Sequence, residues 1–276
     1  REAIVKRLSN GIAALLQYNG VTTIFGTASL KPENEIVVKS SSGEQQQVNA
    51  TSTIIATGSS TAMPELFRKS RNCITGEEFL VSDRLPGSAL IVGGGPEGVE
   101  ASCMLINMGC NVSVVEQLDH LLPFEDKEIS AMLEQKLKEQ GVKVFTNAKV
   151  EALSDESQST KVKLSNGTTI AVDKVIVCAG RKPNTSGLGL ENAGVKTDAH
   201  GRVVVNDEMK TSAKGIYAIG DVTGGRYAHE AMEQGVVAAE NAMKQKASMK
   251  GQVIPRCTYS LPEVASVGIT EEEAKK

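Results

Sequence analysis

The sequence predicts an α/β protein built around a mainly parallel sheet. Three observations lead there. From Ala89 onward, apolar strand-like runs alternate with helix-period runs; a glycine-rich bend joins the first of those strands to the first helix; and β-rich runs with glycine and polar turns flank the series. At 276 residues the chain is long enough for two or more cores.

In chain order, Ile4, Leu8, Ile12, Leu15 and Leu16 recur at helical spacing, and Gly20 stands where that helix stops. VTTIFGTASL, NEIVVKS and QVNATSTIIATGS follow and read as a small antiparallel meander. Residues 61–88 carry Pro64, Gly76, Pro86 and Gly87 with weak periodicity, the mark of a crossing segment. The alternating series then runs strand 89–93, helix 97–109, strand 111–116, helix 125–140 and strand 142–146. Val99, Cys103 and Ile106 share one helix face, and Ile129, Leu133 and Leu137 another, with Gly109 and Gly141 as stops. KVEALS, KVKLSNGTTIAV and KVIVCAG change character, and Asn166-Gly167 marks a tight hairpin, so the parallel unit is interrupted by antiparallel strands. Strands at 202–205 and 216–219 precede a helix from Tyr227 to Gln245.

Composition narrows the function classes. Apolar residues at 40% and charged residues at 23% exclude both a disordered chain and a membrane-spanning one. A net charge of −3 provides no broad basic surface for nucleic acid or anionic lipid, which leaves small soluble partners. Cys73, Cys103, Cys110, Cys178 and Cys257 lack the spacing of a zinc site or a redox pair and read as reduced, mostly packed thiols; no metal is expected. The first residues are spaced as a helix face and not as a signal peptide, so the expected location is the cytoplasm. The chain opens without an initiator methionine, which leaves place for an upstream targeting segment.

LIVGGGPEGVE, residues 90–100, supplies Gly93, Gly95 and Gly98 at the spacing of a dinucleotide turn. Gly93 allows a tight exit from the strand, Gly95 lets a pyrophosphate approach the backbone, and Gly98 lets the helix lie close to the sheet. The helix N-terminus offers N–H groups to phosphate. The next strand, NVSVVE, ends in Glu116, 21 residues beyond Gly95 and close to the ~20 at which an acid accepts adenosine ribose hydroxyls. That carboxylate would repel a 2′-phosphate, and no Arg or Lys follows until Lys127, so NAD is expected over NADP.

GIYAIGDVTGG (215–225), IIATGS (54–59), CAGRKPNT (178–185), AHEAMEQG (228–235) and YSLPEVASVGITEEEAK (259–275) join that turn in order. With them the chain resembles, over essentially its whole length, the flavoprotein disulfide reductase (pyridine nucleotide-disulfide oxidoreductase) family, and within it the branch that oxidises dihydrolipoamide. The resemblance implies a Rossmann-like NAD-binding domain, parallel sheet plus β-meander, inserted in a partial FAD-binding domain of similar fold. The implied division is 1–62 partial FAD-binding domain, 63–88 crossing segment, 89–180 NAD-binding domain, 181–250 return to the FAD-binding domain, and 251–276 start of an interface domain. It implies that Gly93, Gly94, Gly95, Pro96, Glu97, Gly98, Glu116, Val150 and Gly180 line the NAD site. Ala28, Thr57, Gly58, Asp221 and Ala228 would touch FAD, with Asp221 on a ribityl hydroxyl. Glu100 matches an acid near nicotinamide and flavin. The implied partners are NAD(H) and a dihydrolipoamide-type substrate, and the complete enzyme would be a homodimer.

Several family features are not found in the sequence. These are the first flavin glycine turn, the redox cysteines, and the His-Pro-Glu base; His120, His200 and His229 lie in other contexts. Pro96-Glu97 stands where the family has large apolar or aromatic residues. The expectation is a fragment that binds NAD(H) and does not complete the catalytic cycle, with no catalytic residue of its own. Two other readings stay open: another FAD/NAD(P)H disulfide reductase or NADH oxidase, and a non-catalytic nucleotide-binding module.

Overall fold

A computed structural model of the chain describes residues 2–276. Helix α1 (Glu2–Tyr18) ends before Gly20, whose φ of 70° is a left-handed conformation that costs a glycine little. Its apolar stripe is as expected, yet no residue of the helix is buried, and Ile4, Leu8, Ile12 and Leu15 are 57–62% exposed. Strands β1 (Thr27–Leu30), β2 (Glu35–Lys39) and β3 (Gln45–Asn49) form the antiparallel meander in that order. The run expected to extend it, β4 (Thr53–Ile55), leaves it for a distant partner.

Strand β5 (Ser59–Thr61) and the short α2 (Glu65–Arg68) lead into β6 (Cys73–Thr75). Helix α3 (Gly76–Val81) starts at a capping box in which the Thr75 and Glu78 side chains each accept the other residue's backbone N–H. Then come β7 (Ser88–Val92), α4 (Pro96–Asn107), β8 (Asn111–Val115), α5 (Lys127–Glu139) and β9 (Lys143–Phe145). The antiparallel trio β10 (Val150–Asp155), β11 (Thr160–Leu164) and β12 (Thr169–Val172) turns at Asn166-Gly167 and is followed by β13 (Lys174–Val177).

The five-stranded sheet is wholly parallel, in the order β6-β13-β7-β8-β9. Strand β6 joins it from the stretch read as a crossing segment. From β7 the chain winds outward through β8 and β9, then returns to place β13 on the other side of β7. That reversal opens a crevice at the carboxyl ends of β7 and β13. Alternate residues serve opposite faces, as the pleat requires. Ala89 and Ile91 pack with Val99, Leu105, Leu133 and Leu137 of the helices, whereas Leu90 packs with Val162, Leu164 and Val172 of the antiparallel trio. Each such fully buried Val, Leu or Ile side chain contributes roughly 1.5–3 kcal/mol. Ile129 does not share the buried face of α5, being 42% exposed. The buried stripe is Ser130, Leu133 and Leu137, because the Ser130 hydroxyl donates to the Leu121 carbonyl and sets the rotation of the helix.

Beyond it, β14 (Arg181–Pro183) pairs antiparallel with β5, and β15 (Ile216–Ala218) pairs parallel with β4. Helix α6 (Ala228–Ala242) covers this pair through Val237 and Ala238, against Tyr217 and Met209. The strand expected at 202–205 reduces to one bridge, Thr197 to Val203. Its amides go to two separate segments, Val203 N–H to the Val222 carbonyl and Val204 N–H to that of Lys196, so no ladder forms. The chain closes with β16 (Arg256–Thr258), β17 (Val264–Ser266) and the short α7 (Glu271–Ala274). Among the described residues no helix is long and apolar enough to cross a membrane.

Candidate functional site

The bend between β7 and α4 contains glycines of two kinds. Gly93 has φ 110°, and a β-carbon there would run into the Cys178 carbonyl oxygen; one on Gly98 would run into that of Gly93. Both obstacles are backbone, which gives little. A β-carbon on Gly94 would lie 2.5 Å from Leu121 Cδ2 and 3.0 Å from Glu116 Cβ. Gly95 differs: a β-carbon there would meet nothing within 4 Å. Three glycines are thus required for packing, while the fourth faces open space at the helix N-terminus.

Gly95 is the N-cap of α4 and supplies no side-chain cap, and Pro96 at the first position has no N–H of its own. The first-turn amides of Glu97 and Gly98 therefore face that space with the positive end of the helix dipole behind them, a setting suited to an anion.

Glu116 follows β8 and is 7% exposed. Its Oε2 accepts the Gly94 N–H at 2.6 Å and its Oε1 the Leu118 N–H at 2.8 Å. A carboxylate has about four acceptor sites, so each oxygen keeps about one for a hydroxyl donor. Lys127, the next Lys or Arg in sequence, pairs with Asp119 at 2.9 Å. Val150 opens β10 near this end, since Ala148 N–H donates to the Glu116 carbonyl. Gly180 (φ 109°) lies across the crevice, its carbonyl accepting the Ala62 N–H.

The residues read as flavin contacts gather in part. Asp221 Oδ2 accepts the Ser59 hydroxyl at 2.6 Å. Thr57 and Gly58 are tied to Asn184: the Thr57 hydroxyl donates to the Asn184 carbonyl, and Asn184 N–H donates to that of Gly58. Ala228 opens α6, while Ala28 lies in β1 opposite Val38, in the separate antiparallel meander. Glu100 Oε1 accepts the Tyr259 N–H at 2.9 Å, which fastens α4 to the segment leading out of β16.

The sequence gives little sign of the group that connects the two halves, Arg181. Its Nε donates to Ser59 Oγ at 2.6 Å and its Nη2 to Glu77 Oε1 at 2.8 Å; Nη1 stands 3.9 Å from Glu97 Oε2, and Nε 3.5 Å from Asp221 Oδ2. Gly76 makes room for Glu97, because a β-carbon there would collide with Glu97 Oε1. Burial raises the Glu97 carboxyl above its ordinary range; Arg181 opposes the shift, and Glu77 and Glu100 add to it. Burial also pushes the Cys178 thiol up, with the Glu97 charge second. Cys73, Cys103 and Cys110 are raised chiefly by burial too, which keeps these thiols protonated and poorly nucleophilic.

Residues 2–242 match a family model described as pyridine nucleotide-disulphide oxidoreductase. A dihydrolipoyl dehydrogenase of Thermus scotoductus is 39% identical over 283 residues, covering 100% of this chain and 60% of the relative. One from Bacillus subtilis is 37% identical, covering 100% and 61%. Among solved structures, LpdA from Mycobacterium tuberculosis superposes with a TM-score of 0.92 at 28% identity, over 99% of this chain and 61% of that one. A cysteine-to-serine mutant of the HOCl-induced flavoprotein disulfide reductase RclA from Escherichia coli, solved as a Cu(II) complex, gives a TM-score of 0.91 at 28% identity, over 99% and 63%. The chain thus spans about three-fifths of the length of these relatives.

Proposed function

The chain belongs to the pyridine nucleotide-disulphide oxidoreductase family, and on that premise we propose that it is a dihydrolipoyl dehydrogenase-type NAD/FAD oxidoreductase whose 89–180 unit, extended by β6, binds NAD(H). The relatives' names support the type of enzyme. Members of this family use FAD and NAD(H); when bound, these groups supply two-electron and hydride transfer.

The chain's own residues do the holding. First-turn amides of α4 bind the diphosphate, in the space that Gly95 leaves open. Glu116, already fixed by two backbone amides, accepts the ribose hydroxyls and disfavours a 2′-phosphate. Val150 and Gly180 border the two ends of this crevice. On the flavin side Asp221, one-third exposed and oriented by Ser59, accepts a ribityl hydroxyl, and the backbone of Thr57 and Gly58, held by Asn184, forms the adjoining wall with Ala228. The two crevices meet at Arg181. The five cysteines lie on separate segments without the spacing of a redox pair, so on this reading these 276 residues bind the nucleotide without oxidising a dihydrolipoamide-type dithiol by themselves.

The 2.6 Å bond from Gly94 N–H to Glu116 carries the assignment, because it places the acid directly at the glycine bend. Titration with NADH and NADPH, followed by nicotinamide fluorescence, tests it. NADH binding at least about tenfold tighter is expected; equal or absent binding overturns it.

A further inference from the structure

The fold dictates how a dinucleotide lies, given the NAD assignment above, on which this inference rests. With adenosine at Glu116 beyond β8 and the diphosphate at the bend, the other half of the molecule crosses the switch point to the carboxyl end of β13. Glu97, the second residue of α4, stands at that end. It is 33% exposed, and Gly76 and Arg181 flank its carboxylate.

Arg181 does not neutralise it. The same guanidinium lies 2.8 Å from Glu77 and 3.5 Å from Asp221, both nearer than the 3.9 Å to Glu97. One cation shared among three carboxylates leaves the group negative, and Glu100 on α4 adds to the field at Glu97.

We propose that Glu97 sets the site's preference for oxidised over reduced nicotinamide: its incompletely neutralised carboxylate attracts the cationic pyridinium of NAD⁺ and not the neutral dihydropyridine of NADH. The hold that Glu97 exerts is greatest on the substrate form of the ring and weakest on the product form. The residue therefore biases the site toward taking up NAD⁺ and releasing NADH.

Calorimetric titration of the chain with NAD⁺, NADH and ADP-ribose tests this, using the wild type and the near-isosteric Glu97→Gln. The variant is expected to bind NAD⁺ roughly tenfold more weakly, with NADH and ADP-ribose changed by less than about twofold. ADP-ribose lacks the ring, so its binding reports a folded site through the bend and Glu116 alone. A second variant, Glu77→Gln, frees Arg181 to pair with Glu97 and should lower the NAD⁺ preference by about threefold. Unchanged NAD⁺ affinity in Glu97→Gln, or equal losses for NAD⁺ and NADH, overturns the role of Glu97 and leaves the NAD assignment standing if ADP-ribose still binds. Failure of wild type to bind ADP-ribose sinks both.

Discussion

The parallel unit and the flavin-side half are held together in different ways. In the first, Ala89, Leu90 and Ile91 of β7 are fully buried between two layers, and bend, acid and helix come from one stretch of chain. In the second, the strands that carry the site, β4 with β15 and β5 with β14, come in pairs, and the polar atoms of the site meet from segments far apart: Ser59 with Asp221, Ser59 and Glu77 with Arg181, Thr57 with Asn184. Helix α1 leaves Ile4, Leu8, Ile12 and Leu15 of its apolar stripe exposed. The contrast teaches that a nucleotide cradle built locally rests on a local core, whereas one built by distant hydrogen bonds rests on the few side chains that make them.

The largest expected effect sharpens this most directly. Ile91→Ala should destabilise the chain by about 3 kcal/mol through the cavity it leaves, and Leu8→Ala in α1 by less than about 0.5 kcal/mol, both read from urea unfolding. A comparable loss at Leu8 would mean that α1 is packed in solution and would break the comparison. Next, the two kinds of glycine should separate. Gly95→Ala should weaken NADH binding by about 100-fold, because it fills the space before the α4 amides, at a stability cost of no more than about 1 kcal/mol. Gly98→Ala should cost about 1–3 kcal/mol by melting, since its β-carbon meets backbone.

Arg181→Met tests the flavin-side ties. At 40% exposure its ion pairs are screened, so thermal unfolding should show a loss of about 1 kcal/mol, with ADP-ribose binding unchanged. The smallest effect concerns pH. Glu97 faces Glu77 on α3, Arg181 on β14, Cys178 after β13 and Glu100 on its own helix, with Asp221 acting through Arg181. Its carboxyl is raised, chiefly by burial, so protonation on acidification begins at a higher pH than for an ordinary glutamate. The NAD⁺ to NADH affinity ratio should then fall by a few-fold as pH is lowered, and the fall should vanish in Glu97→Gln. A ratio that rises on acidification contradicts the sign.

Much of the parallel unit was legible because its signals are local. The apolar run of β7, the glycine spacing, the helix stops at Gly109 and Gly141 and the Asn166-Gly167 hairpin each lie within a few residues of what they determine. Long-range choices were not. Strand β4 reads like the meander beside it, and only its pairing with β15 removes it from there. The stretch 202–205 has strand composition, but its amides divide between two partners. Ile129 fits a helical stripe that the Ser130 hydroxyl rotates away from the core. Arg181 sits in the quoted run CAGRKPNT, yet nothing local tells that Ser59 and Glu77 will converge on it.

Gly76 separates the placement of a charge from its presence. The atom that a methyl at this position would strike is the tip of a flexible side chain, so an alanine would swing the carboxylate aside and leave the helix intact. Such a wedge keeps every ionisable group in the protein and moves only one of them, a control that no charge-removing substitution provides. Positions 76 and 97 accordingly behave as one steric unit, and bulk gained at the first demands reach given up at the second.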